Sequence, residues 1–140
     1  MISLRMKRTV IIQFLIMISA VLSAQSSEPV KYNSLDPYDF HLAYLRTDSA
    51  MMIDVREHFE FRGKKIHDAV NIPSSGNLEN ASDTISKNYS LFFYCTTGFR
   101  SRRVAEYFYD RGFRDLYNLE GGIVAWKKDG FPVTRRNRTK

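Results

Sequence analysis

The chain holds one cysteine, Cys95, and the residues around it are the ones whose types and spacing could do chemistry. Cys95 follows the continuous apolar run Ser90–Tyr94 (SLFFY). It precedes Thr96-Thr97-Gly98-Phe99-Arg100-Ser101, after which Val104, Ala105, Phe108 and Tyr109 recur at helical spacing. A thiol between a buried strand and a helix start faces unpaired backbone N–H groups and the positive end of the helix dipole. Gly98 lets the loop curl so that successive amides point inward as an anion nest, and Arg100 adds a permanent charge. Together these favour thiolate over thiol, and the thiolate is the nucleophile. The same nest suits a persulfide anion or an incoming oxyanion such as thiosulfate. The competing reading is a packed core thiol, because free cysteines are often buried and inert. The order strand, Cys, Gly, Arg, helix argues for the chemical one. A lone cysteine forms no intramolecular disulfide and no multi-thiolate metal site.

Positioning such a loop takes regular elements on both sides, and the chain offers them. Lys31–Leu35 reads as a short strand, and Asp36 and Pro37 as the N-cap and first position of a helix reaching about Arg46, with Phe40, Ala43 and Tyr44 on its apolar face. Met51–Val55 and Ala69–Ile72 read as short strands, His58–Arg62 as a helical turn, and Ser90–Tyr94 as a central parallel strand. Gly112 ends the helix after Cys95 in the manner of a C-cap. Leu116–Leu119 is a last strand, and Gly121-Gly122 turns the chain into a helix carrying Ile123, Ala125 and Trp126. Ser74–Lys87 is polar and weakly patterned and reads as a loop, too short for a full helix. Short apolar strands alternating with helices predict an α/β fold with a mostly parallel sheet. In such sheets ligands bind beyond the carboxyl ends of the strands, where Cys95 falls.

The 140 residues, 44% hydrophobic and 14% aromatic, fit one packed domain. Residues 1–8 carry Arg5, Lys7 and Arg8, Val10–Leu22 is apolar except for Gln13 and Ser19, and Ser23-Ala24 follows. That is the plan of a secretory signal peptide over residues 1–24; the alternative is an uncleaved N-terminal membrane anchor. Residues 25–29 then form a linker, 30–134 the domain, and 135–140 a basic tail. The expected location is periplasmic or secreted, with no membrane contact once the leader is cleaved. The net charge of +6 lies at the two ends, in the leader and in Arg135, Arg136, Arg138 and Lys140. No basic stripe is interleaved with stacking aromatics, so nucleic acid is not an expected partner.

At the Cys95 loop the sequence resembles the rhodanese family. The family pattern of Tyr-Cys, Gly three residues after Cys, then Arg-Ser appears as Tyr94-Cys95-Thr96-Thr97-Gly98-Phe99-Arg100-Ser101. An Asp-Val-Arg-Glu strand end appears as Asp54-Val55-Arg56-Glu57, and Ala-x-Asn-Ile-Pro as Ala69-Val70-Asn71-Ile72-Pro73. A Leu-x-Gly-Gly-x-x-x-Trp segment followed by Gly-x-Pro-Val appears as Leu119 to Trp126 and Gly130-Phe131-Pro132-Val133. The four motifs lie in the expected order over about Tyr32–Val133. The resemblance implies the rhodanese-like fold, a mostly parallel sheet with helices on both faces. It implies a sulfurtransferase in which Cys95 takes a sulfane sulfur from a small sulfur-containing anion and passes it as a persulfide to a thiol, cyanide or a protein thiol. It implies a cradle of loop amides over Thr96–Ser101, with Arg100 as brace or anion contact, and needs no cofactor or metal. Asp54 and Arg56 are expected either to support the loop or to form an ordinary ion pair. Three places depart from the pattern. Lys64-Lys65 stands for Gly-His before Ile66, Asp68 stands for Gly before Ala69, and Thr96 and Thr97 stand where many members place a basic residue, which loosens the tie to thiosulfate in particular.

A related loop serves phosphatases, with five residues between Cys and Arg. Here there are four, a tighter ring that suits sulfur better than a phosphoryl group. The serious alternative is a non-catalytic sulfur carrier or binding module on the same fold. His41, His58 and His67 share no metal-ligand spacing and read as surface or packing residues. Trp126 reads as a core anchor, and Ser101 as satisfying a helix-start amide.

Overall fold

The computed structural model describes Gln13 and residues 30–135; the leader at 1–24, the linker at 25–29 and the tail beyond Arg135 lie outside the described residues. Five strands form one parallel sheet in the order β1-β5-β4-β2-β3: β1 Asn33–Leu35, β2 Ala50–Asp54, β3 Val70–Asn71, β4 Ser90–Tyr94 and β5 Leu116–Leu119. Five helices connect and follow them: α1 Pro37–Leu45, α2 His58–Gly63, α3 Leu78–Thr84, α4 Phe99–Asp110 and α5 Gly122–Lys128. This is the rhodanese-like α/β fold expected from the sequence. No helix among the described residues is long and apolar enough to cross a membrane.

β4 is buried along its whole length, which is why it reads as an unbroken apolar run rather than an alternation. Its side chains still alternate between the two faces. Leu91, Phe93 and Cys95 join the core under α4 with Val104, Ala105, Phe108 and Phe113. Phe92 and Tyr94 join the opposite core with Phe40, Ile123 and Trp126. A strand sandwiched in this way is stiff, and it delivers Cys95 to a fixed point at the sheet's carboxyl edge.

The caps follow the local chemistry. Asp36 Oδ1 accepts from the Asp39 N–H at 2.9 Å, with Pro37 at the first helical position of α1. At the end of α4, Gly112 adopts φ 94°. Its N–H donates to Tyr109 O at 2.9 Å and the Phe113 N–H to Phe108 O at 3.1 Å, a Schellman closure.

One element overturns the sequence reading. The stretch Ser74–Lys87 contains α3 rather than only loop. Asn77 caps it, its side chain accepting from the Asn80 N–H at 2.9 Å, and Leu78, Ala81 and Ile85 pack on the core below α4. Three apolar positions in a Ser- and Asn-rich stretch give a weak periodic signal, and tertiary packing supplies what propensity does not. β3 is also shorter than expected, only Val70–Asn71.

Candidate active site

The loop from Cys95 to Ser101 joins β4 to α4 at the carboxyl edge of the sheet. Gly98 is its N-cap, with φ 87°. A Cβ there would lie 2.9 Å from Leu119 O and 3.2 Å from the Gly121 N. Glycine is required both by backbone conformation and by the close approach of the β5–α5 turn. The Gly98 N–H donates to Cys95 Sγ at 3.1 Å. Burial raises the thiol's pKa, but hydrogen bonds from the Ser101 hydroxyl and from the Ser101, Thr97 and Gly98 N–H groups outweigh it and bring the pKa below the ordinary thiol value. Thiolate stabilisation here comes from oriented dipoles.

The Gly121-Gly122 pair does more than turn the chain. The Ile123 N–H donates to Cys95 O at 2.9 Å and the Val124 N–H to Thr96 O at 3.2 Å, so free amides at the start of α5 hold the outer carbonyls of the loop. A Cβ on Gly122 would fall 2.5 Å from Cys95 O and Thr96 O. With its carbonyls fixed outward, the loop turns its N–H groups toward the sulfur.

Ser101 does not satisfy a helix-start amide. It is fully buried; its hydroxyl lies between two acceptors, Asn118 Oδ1 at 2.6 Å and Cys95 Sγ at 3.5 Å, and its single proton turns to the sulfur when the thiol ionises. The Asn118 Nδ2 donates to Ser34 Oγ at 3.1 Å. A polar chain thus runs through β5 from the sulfur to the exposed β1 strand. Asn118, 1% exposed, escaped sequence reading because an Asn in a strand looks like an edge residue.

Arg100 is engaged by a partner that sequence reading missed. Its Nη1 donates to Glu60 Oε2 and its Nη2 to Glu60 Oε1, both at 3.1 Å. Thr96 Oγ1 donates to Glu60 Oε1 at 2.9 Å and accepts from Arg100 Nη2 at 3.0 Å. Glu60 Oε2 also accepts the Glu57 N–H at 3.1 Å. Led by the Arg100 hydrogen bonds and against the effect of burial, these contacts hold the Glu60 carboxyl at about 2. The same pairing, foremost among the causes, raises Arg100 above its ordinary value. Arg100 therefore braces the loop across α2. Glu60 meets most of its charge, and what remains still reaches the Cys95 sulfur, so Arg100 adds a lesser share to what the amides and Ser101 supply.

Asp54 and Arg56 form a buried pair at the end of β2, with Arg56 Nη2 2.7 Å from Asp54 Oδ2. Arg56 Nη2 also donates to Lys64 O at 2.7 Å, and the guanidinium lies over the Tyr94 ring, 5.7 Å from its centroid. Burial opposes the Arg56 charge, and the hydrogen bonds and charge of Asp54 more than restore it. The pair ties β2 to the 64–66 segment and touches β4 at the residue before Cys95. Asp68 adopts φ 59°, a left-handed backbone that explains the Gly of the family pattern and that Asp tolerates better than most side chains.

Cys95 is only 1% exposed, so the freely reachable sulfur that the loop sequence led us to expect is instead the floor of a covered cradle. Thr97 and Phe99 form its exposed rim. Cavities of about 320 Å³ and 350 Å³ flank the loop, the first bordered by Arg100, Arg103 and Tyr107 and the second by Thr97, Gly98 and Asn118. A larger cavity, about 540 Å³, has no loop residue in its walls. The donors converge on Cys95, so the candidate site is the covered cradle and not this larger hollow. No group of three or more His, Cys, Asp or Glu able to hold a metal occurs among the described residues. His41 packs edge-on to Trp126 and Phe131, and Trp126 is a core anchor whose Nε1 donates to Pro132 O at 2.9 Å.

The rhodanese-like domain model matches residues 39–129. The chain belongs to the rhodanese-like domain family. A sulfurtransferase of Allochromatium vinosum is 29% identical over 101 residues, covering 72% of this chain and 94% of that protein. A tRNA uridine(34) hydroxylase of Yersinia pestis is 27% identical over 135 residues, and the match spans 38% of its length. Among solved structures, a rhodanese-related protein from Thermoplasma volcanium superposes with a TM-score of 0.65 at 28% identity, over 74% of this chain and 98% of that one. The four motifs of this rhodanese-like domain now have structural roles. Two build the Cys95 cradle (the loop itself and the Gly-Gly clamp). The other two meet at the β2–β3 edge, where Asn71 Nδ2 donates to Asp54 O at 2.9 Å and to Arg56 O at 2.8 Å.

Proposed function

We propose that the protein is a sulfurtransferase that carries a sulfane sulfur on Cys95. In the loading step the Cys95 thiolate attacks the outer sulfur of the donor. With thiosulfate, the S–S bond breaks, its electron pair leaves with sulfite, and Cys95 keeps one added sulfur as a persulfide anion. In the unloading step an acceptor thiolate or cyanide attacks that outer sulfur. The bond to Cys95 breaks and its electrons return to the Cys95 sulfur, so the two steps together need no external oxidant or reductant. The observation that carries this reading is the set of N–H groups around Cys95 Sγ, with Gly98 N at 3.1 Å. Preorganised donors of this kind hold an anionic sulfur without reorganising during the reaction. The same reading takes the pattern at residues 1–24 as an export signal.

The burial of Cys95 favours a second reading, a carrier that loads but does not turn over, since a covered sulfur is protected from casual acceptors. One experiment separates them. Intact mass after incubation with thiosulfate or another sulfane donor is expected to rise by one sulfur, and to fall back when cyanide or a thiol is added. Loading without release identifies the carrier. Failure of every sulfane donor to load the wild-type chain, or undiminished loading of Cys95→Ser, overturns the proposal.

A further inference from the structure

The cavity of about 540 Å³ lies against the face of α2 that turns away from the Cys95 loop. His58, Phe61 and Arg62 of α2 line it, and their i, i+3, i+4 spacing puts them on one side of the helix. Glu60, which reaches Arg100 and Thr96, lies on the other. The remaining walls are Lys65, Asn71, Thr134 and Arg135. No acidic residue lines the cavity. Arg62, Lys65 and Arg135 carry permanent charges, and among the described residues none of the three has an ion-pair partner. Lys65 Nζ sits 4.3 Å from the Phe61 ring centroid, against an aromatic face rather than a carboxylate. Lys65 is part of the Lys64-Lys65 pair that departs from the Gly-His of the family pattern.

The cleft is preformed. The Lys65 N–H donates to Thr134 O at 3.0 Å and the Thr134 N–H to Lys65 O at 2.8 Å, which pins Lys65 beside the Thr134-Arg135 wall. Asn71 gives both amide hydrogens to backbone carbonyls. Those two bonds fix Asn71 in the wall of the cleft. Three unopposed cations and an aromatic wall, with no carboxylate among the lining residues, define a complementary ligand that carries several negative charges.

We propose that this cleft binds a small polyanion, carrying two or more carboxylate or phosphate groups, and that the bound anion steadies the Cys95 loop through α2. The helix has six residues, too few to be stable without tertiary support. An anion bridging Arg62 to Lys65 and Arg135 clamps one face of α2, while Glu60 on the other face holds Thr96 and Arg100. Only the second half of the proposal, the effect on the loop, rests on the sulfurtransferase reading.

Titration calorimetry of the full chain at constant ionic strength, with citrate as the carboxylate probe and pyrophosphate as the phosphate probe, tests the binding. At least one probe is expected to bind, and the stronger one identifies the headgroup chemistry. Arg62→Gln and Lys65→Gln are each expected to weaken it about tenfold, the loss of one charge-assisted contact. Arg46→Gln, which removes a charge at the end of α1, is expected to leave affinity unchanged. Absence of binding by both probes overturns the site, as does equal weakening by Arg46→Gln, which would mean unspecific attraction. Probe at a concentration that half-fills the wild-type site is further expected to change the rate of Cys95 alkylation in the wild type and far less in Arg62→Gln. Binding with an unchanged alkylation rate would overturn the link to the loop. Binding by Cys95→Ser keeps this test separate from any failure of sulfur transfer.

Discussion

Replacing Glu60 by Gln removes the charge that fastens α2 to the loop while keeping the shape of the side chain. The size of the effect follows from the carboxyl's displacement, from 4.5 to about 2. At about 1.4 kcal/mol per unit that displacement is an upper bound of roughly 3 kcal/mol. Arg100 is 34% exposed and Glu60 20%, so solvent screens the pair, and about 1–2 kcal/mol is the expected loss for Glu60→Gln at neutral pH. Because the folded-state value lies below the unfolded one, this stabilisation is fully present above about 4.5. It is lost progressively as pH falls toward 2. Urea unfolding of wild type and Glu60→Gln at a series of pH values reads it directly. The gap between the two is expected to be largest near neutrality and to shrink steadily below pH 4.5. A gap that stays constant across that window would show that the Glu60 charge stabilises nothing, and the account of Arg100 as a brace would fall with it.

Ser101→Ala removes the leading hydrogen bond that lowers the Cys95 pKa. The alkylation-versus-pH midpoint is expected to move up, whereas Ser101→Thr, which keeps the hydroxyl, should hold it near the wild-type position. An unmoved midpoint in Ser101→Ala would leave the amides alone in charge of ionisation. Gly98→Ala forces a side chain into φ 87°, at a cost of about 1–2 kcal/mol, and drives a Cβ to 2.9 Å from Leu119 O. Thermal unfolding should show a clear loss of stability and mass spectrometry a loss of sulfur loading; a variant as stable and as active as wild type would contradict the close packing of loop and β5–α5 turn.

What the sequence discloses and what it hides divide along a physical line. β4 and the cradle were legible because an unbroken apolar strand, a glycine at a fixed offset and an adjoining helix are local features. Ser90–Tyr94 and Leu116–Leu119 occupy the positions their patterns predict. The partners that tune the site are not local. Glu60 is 40 residues from Arg100, and Asn118 is 17 residues from Ser101. Nothing in the spacing of either pair announces that the fold will join them. Glu60 had one available signal, its place in a helix directly after the Asp54–Glu57 motif at the same sheet edge as Cys95. α3 was hidden for a different reason: its polar sequence carries only a weak helical periodicity, and Leu78, Ala81 and Ile85 become informative only against the core they cover.

The electrostatics of the cradle bear on why it suits sulfur exchange. The nearest permanent cation, Arg100, is bound to Glu60, which cancels most of its charge at the sulfur. The charge that changes at the centre is that of the sulfur itself, stabilised by N–H dipoles and one hydroxyl. Thiolate and persulfide each carry a single negative charge, and adding a sulfur moves that charge outward by one bond without altering it. A cradle built on an uncompensated arginine would favour incoming dianions and hold products tightly. One built on dipoles treats the loaded and unloaded states nearly alike, and such balance lets a sulfur atom pass in either direction. Removal of the Glu60 charge breaks this symmetry by freeing Arg100. Glu60→Gln is therefore expected to favour thiosulfate over monoanionic persulfide donors relative to wild type, read as the ratio of the two loading rates. An unchanged ratio would mean that Arg100 lies beyond electrostatic reach of the reacting sulfur.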